Sequence, residues 1–209
     1  MADSGIERYR AILLFGAPGV GKGTQGQILA SVPGFCHVST GDLFRALDPS
    51  SELGREFKRY SSQGLLVPDE FTVRLWEESM AAWTAEGRFD PSSELLVLDG
   101  FPRNVNQAEM TEGRVEVLSV IHLRAADRPA MIQRLRKRAI EQGRHDDAKE
   151  EVIENRWRVY EDETAPVLGC FDAGAVHEVD AMGTPAEVLL RILTHIAPVQ
   201  AAHLHERGG

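Results

Sequence analysis

The feature that most constrains the fold is the stretch Gly16-Ala17-Pro18-Gly19-Val20-Gly21-Lys22-Gly23-Thr24, which follows directly on the apolar run Ala11 to Phe15. A run of β-formers, a glycine loop, a lysine and then a helix, in that order, is the context a phosphate-binding P-loop requires. The glycines let successive backbone N–H groups turn toward one anion, the helix N-terminus adds partial positive charge, and Lys22 reaches the outer phosphates. A plain glycine-rich turn between strand and helix is the other use of such a segment. One position departs from the common pattern: the hydroxyl that usually follows the lysine and binds metal is replaced by Gly23, with Thr24 one step later. That change puts direct coordination of magnesium by the loop in question.

Four more apolar runs follow, at Phe35 to Val38, Leu95 to Leu98, Val117 to Leu123 and Val176 to Val179. Continuous rather than alternating apolar runs belong to strands buried on both faces of a parallel sheet. The stretches between them carry helix punctuation. Pro68 at a first helical position, with Asp69 and Glu70 behind it, predicts a helix to about Glu86, where Gly87 ends it. Asp147 with Glu150 reads as a capping box opening a helix toward Gly169. Strand and helix in alternation predict an α/β fold: a doubly wound, five-stranded parallel sheet with right-handed crossovers. Two intervals exceed a minimal unit. Val38 to Leu95 predicts a small helical insertion, and the charged stretch Arg136 to Asp147, with Gly143, predicts a mobile loop between two helices. Pro198 to Gly209 reads as a frayed terminus.

Bulk properties narrow the function classes. A chain of 209 residues suits one domain with insertions, burying about 70% of the surface its unfolded form exposes. A formal charge of −9 removes bulk attraction to nucleic acid or anionic membrane, so an anionic ligand must be held locally. Two cysteines, Cys36 and Cys170, are too few for a Cys-rich zinc cluster and fit a reducing compartment. Met1 to Arg10 offers no apolar core of signal-peptide length, and no run is long enough to span a bilayer. A cytoplasmic protein is expected.

Extended to Gln25, the loop Gly-x-Pro-Gly-x-Gly-Lys-Gly-Thr-Gln closely resembles that of the adenylate kinase family, and four further elements match in the family's order. Ser39-Thr40-Gly41-Asp42-Leu43-Phe44-Arg45 matches its Ser-Thr-Gly-Asp element; Ser39 and Asp42 equally suit a helix cap. Gly64-Leu65-Leu66-Val67-Pro68 matches an AMP contact, although the apolar side chains also suit ordinary packing. Leu95 to Leu98 leads into Asp99-Gly100-Phe101-Pro102-Arg103 and on to Gln107. An acidic residue at the exit of a buried strand is where a P-loop enzyme places its magnesium-organising carboxylate. A turn aspartate is the plainer use of that position. The fifth match is the cationic stretch holding Arg134, Arg138, Arg144 and Arg156. A solvated helix face is the usual reading of such a run, but Arg134 and Arg138 share a face on which an intervening anion would turn repulsion into attraction.

The resemblance implies a phosphotransferase acting on ATP, AMP and ADP with Mg2+ as cofactor. It places ATP on Gly19, Val20, Gly21, Lys22, Gly23 and Thr24, with Arg134 and Gly183 at the base and Arg138 at the phosphates. It places AMP on Thr40, Arg45, Leu65, Leu66, Val67, Gly100, Phe101, Pro102, Arg103 and Gln107, with Arg144 and Arg156 at its phosphate. Lys22, Arg138, Arg144 and Arg156 are the expected catalytic residues, and Asp99 the expected metal residue, acting through water. Asp146 and Asp147 would orient arginines as the loop closes. Five residues, Ala139 to Gly143, separate Arg138 from Arg144, which implies the short, zinc-free lid. The implied layout is one kinase domain with core 1–38, 69–137 and 148–209, an NMP-binding insertion 39–68 and a lid 138–147. A monomer is expected. UMP/CMP kinases resemble the chain through the P-loop and Phe-Pro-Arg, but carry Asn at the Gln107 position and a smaller residue at that of Thr40. Both positions favour AMP over that alternative. A P-loop switch protein or an inactive binding module is disfavoured because Arg45, Arg103, Gln107 and the lid-region arginines are all present. His122, His145, His177 and His195 are assigned to packing or surface, since a phosphate ionised at neutral pH needs no base. Trp76 and Trp83, on one helix face, are assigned to the core.

Overall fold

Five parallel strands form one sheet in the order β2-β3-β1-β4-β5: β1 (Tyr9–Gly16), β2 (Phe35–Ser39), β3 (Leu95–Asp99), β4 (Val115–Arg124) and β5 (Val176–Asp180). The computed structural model describes residues 8–141 and 148–207. All five predicted runs lie inside these strands, and the doubly wound fold is present. Placing β1 at the centre, between β3 and β4, makes its carboxyl end a topological switch point, where ligands bind in open α/β sheets.

The central strands are buried on both faces. Alternation along β1 sends Ile12 and Leu14 into a core shared with Leu29, Met131, Trp157 and Ile192, while Ala11, Leu13 and Phe15 join Trp76, Met80 and Phe101 on the other side. The helices covering these faces are α1 (Lys22–Leu29), α4 (Asp69–Ala85), α5 (Val105–Thr111), α6 (Arg128–Glu141), α7 (Glu150–Val159) and α8 (Pro185–Arg207). Trp76 is fully buried and Trp83 packs against the same cluster, as their shared helix face predicts. Helix α4 carries Pro68 at its N-cap, runs to Ala85 and is followed by Gly87 at φ +67°.

Helices α2 (Thr40–Ala46) and α3 (Glu52–Ser61) fill the interval between β2 and α4. They have their own small core, in which Phe44, Val67 and Leu75 pack with Phe57. Phe44 and Phe57 stack in parallel with centroids 5.0 Å apart. This is the helical insertion expected between Val38 and Leu95.

Three expectations need correction. Helix α6 runs on to Glu141 rather than giving way at Arg136: Arg, Lys, Ala and Glu are strong helix formers, Ala139 is buried, and Lys137 pairs with Glu141 one turn on at 3.7 Å. Helix α7 starts at Glu150 with Lys149 at the N-cap position. After Val159 it widens into a π turn over Tyr160–Thr164 and tightens to 3-10 winding over Ala165–Cys170. The segment is helical toward Gly169, as expected, but changes winding where Pro166 removes a donor. The tail does not fray at Pro198, which lies inside α8. Gln200 Nε2 donates to the Pro33 carbonyl at 2.8 Å, and buried His203 meets Arg10 Nη1 at 3.3 Å, so the far end of α8 is tied to the body. The expectations for Gly143, Arg144, His145, Asp146 and Asp147, including the capping box, lie outside the described residues.

Candidate functional site

At the carboxyl edge of the sheet, parallel register sets Asp99, the last residue of β3, beside Leu14 of β1 on one side and Ser39 of β2 on the other. The loop that follows β1 therefore arches over Asp99. Gly19 takes φ +85°, and a Cβ there would stand 2.5 Å from the Met131 carbonyl, so only glycine lets the loop lie against α6. Gly21, at φ +109°, occupies the N-cap of α1, which has no side-chain cap and no acidic residue in its first turn. Its N-terminal N–H groups and dipole thus face the cleft unmasked by a neighbouring side chain, which suits an anion.

Lys22 donates to the Gly16 carbonyl at 2.6 Å and to that of Ala17 at 3.2 Å. Burial pushes its pKa down to about 8; Asp99 opposes that fall, while Arg103 and Arg138 add to it. Asp99 shows the reverse balance. Burial works against its charge, but the His37 imidazole and the cationic Lys22 and Arg103 outweigh burial and hold the carboxyl below the usual range. His37 Nε2 stands 3.8 Å from Asp99 Oδ2, an electrostatic contact longer than a hydrogen bond.

A magnesium ion fits this corner. A Cβ on Gly23 would lie 3.5 Å from Asp99 Oδ2, so the bare glycine leaves open the space a metal-binding hydroxyl would fill, directly against an ionised carboxylate. Magnesium typically takes one or two carboxylates, substrate phosphates and water. Among the described residues, no three His, Cys, Asp or Glu side chains gather to cage a metal. Asp99 with nucleotide phosphates is the donor set on offer.

Across the cleft, Ser39 Oγ accepts from Asp42 N at 3.3 Å and caps α2. The capping role coexists with the position of the next residue in the cleft wall: Thr40 is buried and donates to the Gly100 carbonyl at 2.7 Å. Arg45 is paired with Asp42. Gln107 is fully buried; its oxygen accepts from Arg103 N at 2.8 Å and its nitrogen donates to Asp69 at 2.7 Å. Arg103 Nε donates to the Gly100 carbonyl at 2.8 Å. Burial lowers its pKa to about 10; Asp99 opposes this, and the nearby cations Arg156, Arg45 and Arg138 lower it further. It stays charged at neutral pH. Four arginines from four segments thus crowd one cleft, where Asp99 and Asp42 offset part of their charge and a phosphate would be held by paired hydrogen bonds.

These groups wall one cleft of about 630 Å³, in the range of small-molecule sites. It brings together Gly19, Gly21 to Thr24, Thr40, Arg45, Leu65 to Val67, Asp99, Gly100, Arg103, Gln107, Arg138 and Arg156. Other expected residues face elsewhere. Val20 is buried in the core. Phe101 stacks on Trp76 at 5.1 Å, and with Pro102 it lines a separate cavity of about 470 Å³ behind the cleft. Arg134 is exposed on α6, one turn before Arg138, and Gly183, at φ +112°, lies between β5 and α8. Neither lines the cleft.

The cleft also holds Phe44, Phe57, Lys58, Tyr160 and Thr164, which sequence reading did not single out. Tyr160 and Thr164 follow Arg156 at intervals of four, which is the signal that places them on its face. Tyr160 shares a hydrogen bond with His122 at 3.1 Å, and Thr164 Oγ1 donates to the Arg103 carbonyl at 2.6 Å. His177 and His195 stack on each other at 4.5 Å.

Comparison with known proteins agrees with this geometry. The adenylate kinase family profile matches residues 14–176. An adenylate kinase of Kocuria rhizophila is 40% identical over 188 residues, covering 87% of this chain and 96% of that protein. One of Caulobacter vibrioides is 39% identical over 196 residues, covering 91% and 98%, and one of Mycobacterium marinum is 42% identical over 189, covering 87% and 96%. With the family profile spanning most of the sheet and relatives aligned nearly end to end, this chain belongs to the adenylate kinase family of nucleoside monophosphate kinases.

Proposed function

We propose that the chain transfers the terminal phosphoryl group of ATP to AMP, reversibly and giving two ADP, for adenine nucleotide homeostasis. The observation that carries this reading is the convergence of Lys22, Arg45, Arg103, Arg138 and Arg156 on one cleft in a chain of net charge −9. Two nucleotides meeting end to end gather that much negative charge in one place.

In this reading the P-loop N–H groups and Lys22 hold the β- and γ-phosphates of ATP. Arg45 and Arg103 grip the AMP phosphate through paired hydrogen bonds. An AMP phosphate oxygen forms the new bond to the γ-phosphorus in line as the bond to the β-γ bridging oxygen breaks, and ADP leaves. No base is required, because that phosphate is mostly ionised at pH 7. Arg138, Arg156 and, by resemblance, Arg144 stabilise charge spread over the oxygens in flight, so positioning and charge neutralisation supply the rate. Asp99 would hold Mg2+ at this corner, where the ion would supply neutralisation of part of that charge.

Gln107 reads the acceptor base. With one N–H and one lone pair committed to Asp69 and Arg103, its amide keeps one of each for adenine. Arg134 and Gly183 contact the donor base outside the cleft. By resemblance, the insertion 39–68 and the lid 138–147, of which 142–147 lie outside the described residues, would close to exclude water, on a core of 1–38, 69–137 and 148–209. No helix among the described residues is long and apolar enough to cross a membrane, and a cytoplasmic monomer is the simplest setting for this reaction.

The test is ADP formation from ATP with AMP, CMP or UMP as acceptor. Turnover with AMP far above the pyrimidine nucleotides is expected; robust CMP turnover with AMP inert would overturn the assignment.

A further inference from the structure

Helix α7 carries Arg156 into the cleft, and the residue before it does something separate. Asn155 Nδ2 donates to the backbone carbonyl of Gln63 at 2.5 Å, reaching from α7 to the segment that follows α3. Its Oδ1 in turn accepts from Arg158 Nη2. The two partners are of opposite kind, an acceptor on one side and a donor on the other, so only one orientation of the amide satisfies both.

The next residue along the insertion explains why the approach is so close. Gly64 is buried at φ +72°, and a Cβ there would stand 2.7 Å from the Val152 carbonyl and 3.1 Å from Arg156 Cγ. Glycine therefore lets the Gln63-Gly64 backbone lie directly on α7, and Asn155 fastens it there. Leu65, Leu66 and Val67, which wall the cleft, follow at once. At the other end of the same helical segment, Thr164 Oγ1 donates to the Arg103 carbonyl at 2.6 Å. Arg156 thus sits between two side-chain ties, one to each half of the acceptor region.

We infer that Asn155 is a positioning residue for the acceptor nucleotide: by tying the Gln63 carbonyl to α7 it fixes the Leu65–Val67 wall relative to Arg156, so that acceptor binding does not have to assemble that spacing. The inference rests on the acceptor reading of the cleft given above. The hydrogen bond touches neither nucleotide site directly. Its loss should weaken acceptor binding and leave the donor site, on the P-loop side, unchanged.

The test uses Asn155→Asp and Asn155→Ala in the full chain. The aspartate keeps the volume and the oxygen facing Arg158, but sets a carboxylate rather than a donor against the Gln63 carbonyl. A neutral hydrogen bond contributes about 0.5–1.5 kcal/mol net, or roughly two- to tenfold. The expected result is therefore an acceptor KM raised about three- to tenfold in both variants, with kcat and the ATP KM within about twofold of the parent and melting temperature little changed. Calorimetric titration with AMP alone should show the same shift in Kd and requires no turnover. An Asp variant whose AMP Kd stays within twofold of the parent overturns the inference, as does a parallel rise in the ATP and AMP KM values. If the parent chain turns over a different monophosphate, its KM is followed instead; failure of the AMP assignment is then seen in the parent, and failure of the tie only in the variants.

Discussion

Gln107 donates its side-chain N–H to the Asp69 carboxylate at 2.7 Å, joining the residue read as the base sensor to the first residue of α4. Asp69 also accepts from Asn104 at 2.8 Å and Asn106 at 2.7 Å, so one carboxylate fixes the start of α5 and the amide together. The amide is thereby locked in a single orientation before any base arrives. Pre-set polar groups reject a mismatched base strongly, because a wrong edge leaves them buried and unpaired.

Shortening that side chain should therefore blunt selectivity. Gln107→Asn cannot keep both protein partners and still present its remaining N–H and lone pair at the same depth. The preference for AMP over CMP, measured as the ratio of kcat/KM values, is expected to fall roughly ten- to hundredfold, in line with about 1–3 kcal/mol for a lost buried polar match. An unchanged ratio would show that the base is read by other groups.

Arg138→Ala tests the phosphoryl-transfer reading. The side chain lies on exposed surface of α6 at the mouth of the cleft, so the fold should tolerate its removal. Arginines at transferring phosphates are worth about 10³ or more in rate. A fall in kcat of that order with an unchanged melting temperature is expected, and near-normal turnover would remove Arg138 from the machinery.

Asp99→Asn tests the metal corner. The amide keeps the shape but removes the charge that balances Lys22 and Arg103. The magnesium concentration giving half-maximal activity should rise about tenfold or more, the scale on which loss of a residue organising a metal's water shell is felt. Equal magnesium dependence in the two proteins would mean that the carboxylate serves only to balance its cationic neighbours.

Much of this arrangement is legible in the chain itself. The strand runs are continuous because both faces of the sheet are covered, and Asp99 stands out because it ends one of them. The loop glycines announce an anion site because no other residue allows that backbone. Other features depend on tertiary packing that no local pattern encodes. Pro198 marks a break by propensity, yet Gln200 and His203 hold α8 beyond it. The spacing from Arg156 marks the face of Tyr160 and Thr164, but not the long-range contact by which the π turn meets the Arg103 loop, Thr164 Oγ1 on the Arg103 carbonyl. Phe101 and Pro102 sit inside the Asp99-to-Arg103 motif, but their side chains serve the wall behind the cleft while the neighbouring Gly100 and Arg103 face into it.

Lys22 makes the last prediction, because its pKa of about 8 lies below the ordinary lysine value of 10.5. Between those values the folded chain binds fewer protons at this residue than the unfolded chain does. The slope of stability with pH is set by the unfolded minus the folded proton count, so this contribution to stability rises as pH increases from about 8 to 10.5. Below pH 8 the cost of burying the ammonium is borne in full. Bound phosphate reverses the balance by favouring the charged form, raising the pKa of Lys22 in the complex. ATP binding near pH 8 should therefore draw up to about half a proton from solution. Calorimetry in two buffers of different ionisation enthalpy reads that uptake directly. It should shrink toward pH 6.5, where Lys22 is already protonated in the free chain, and vanish in Lys22→Met. A binding enthalpy independent of buffer at pH 8 would show that the loop carbonyls of Gly16 and Ala17 keep the ammonium fully charged without the nucleotide.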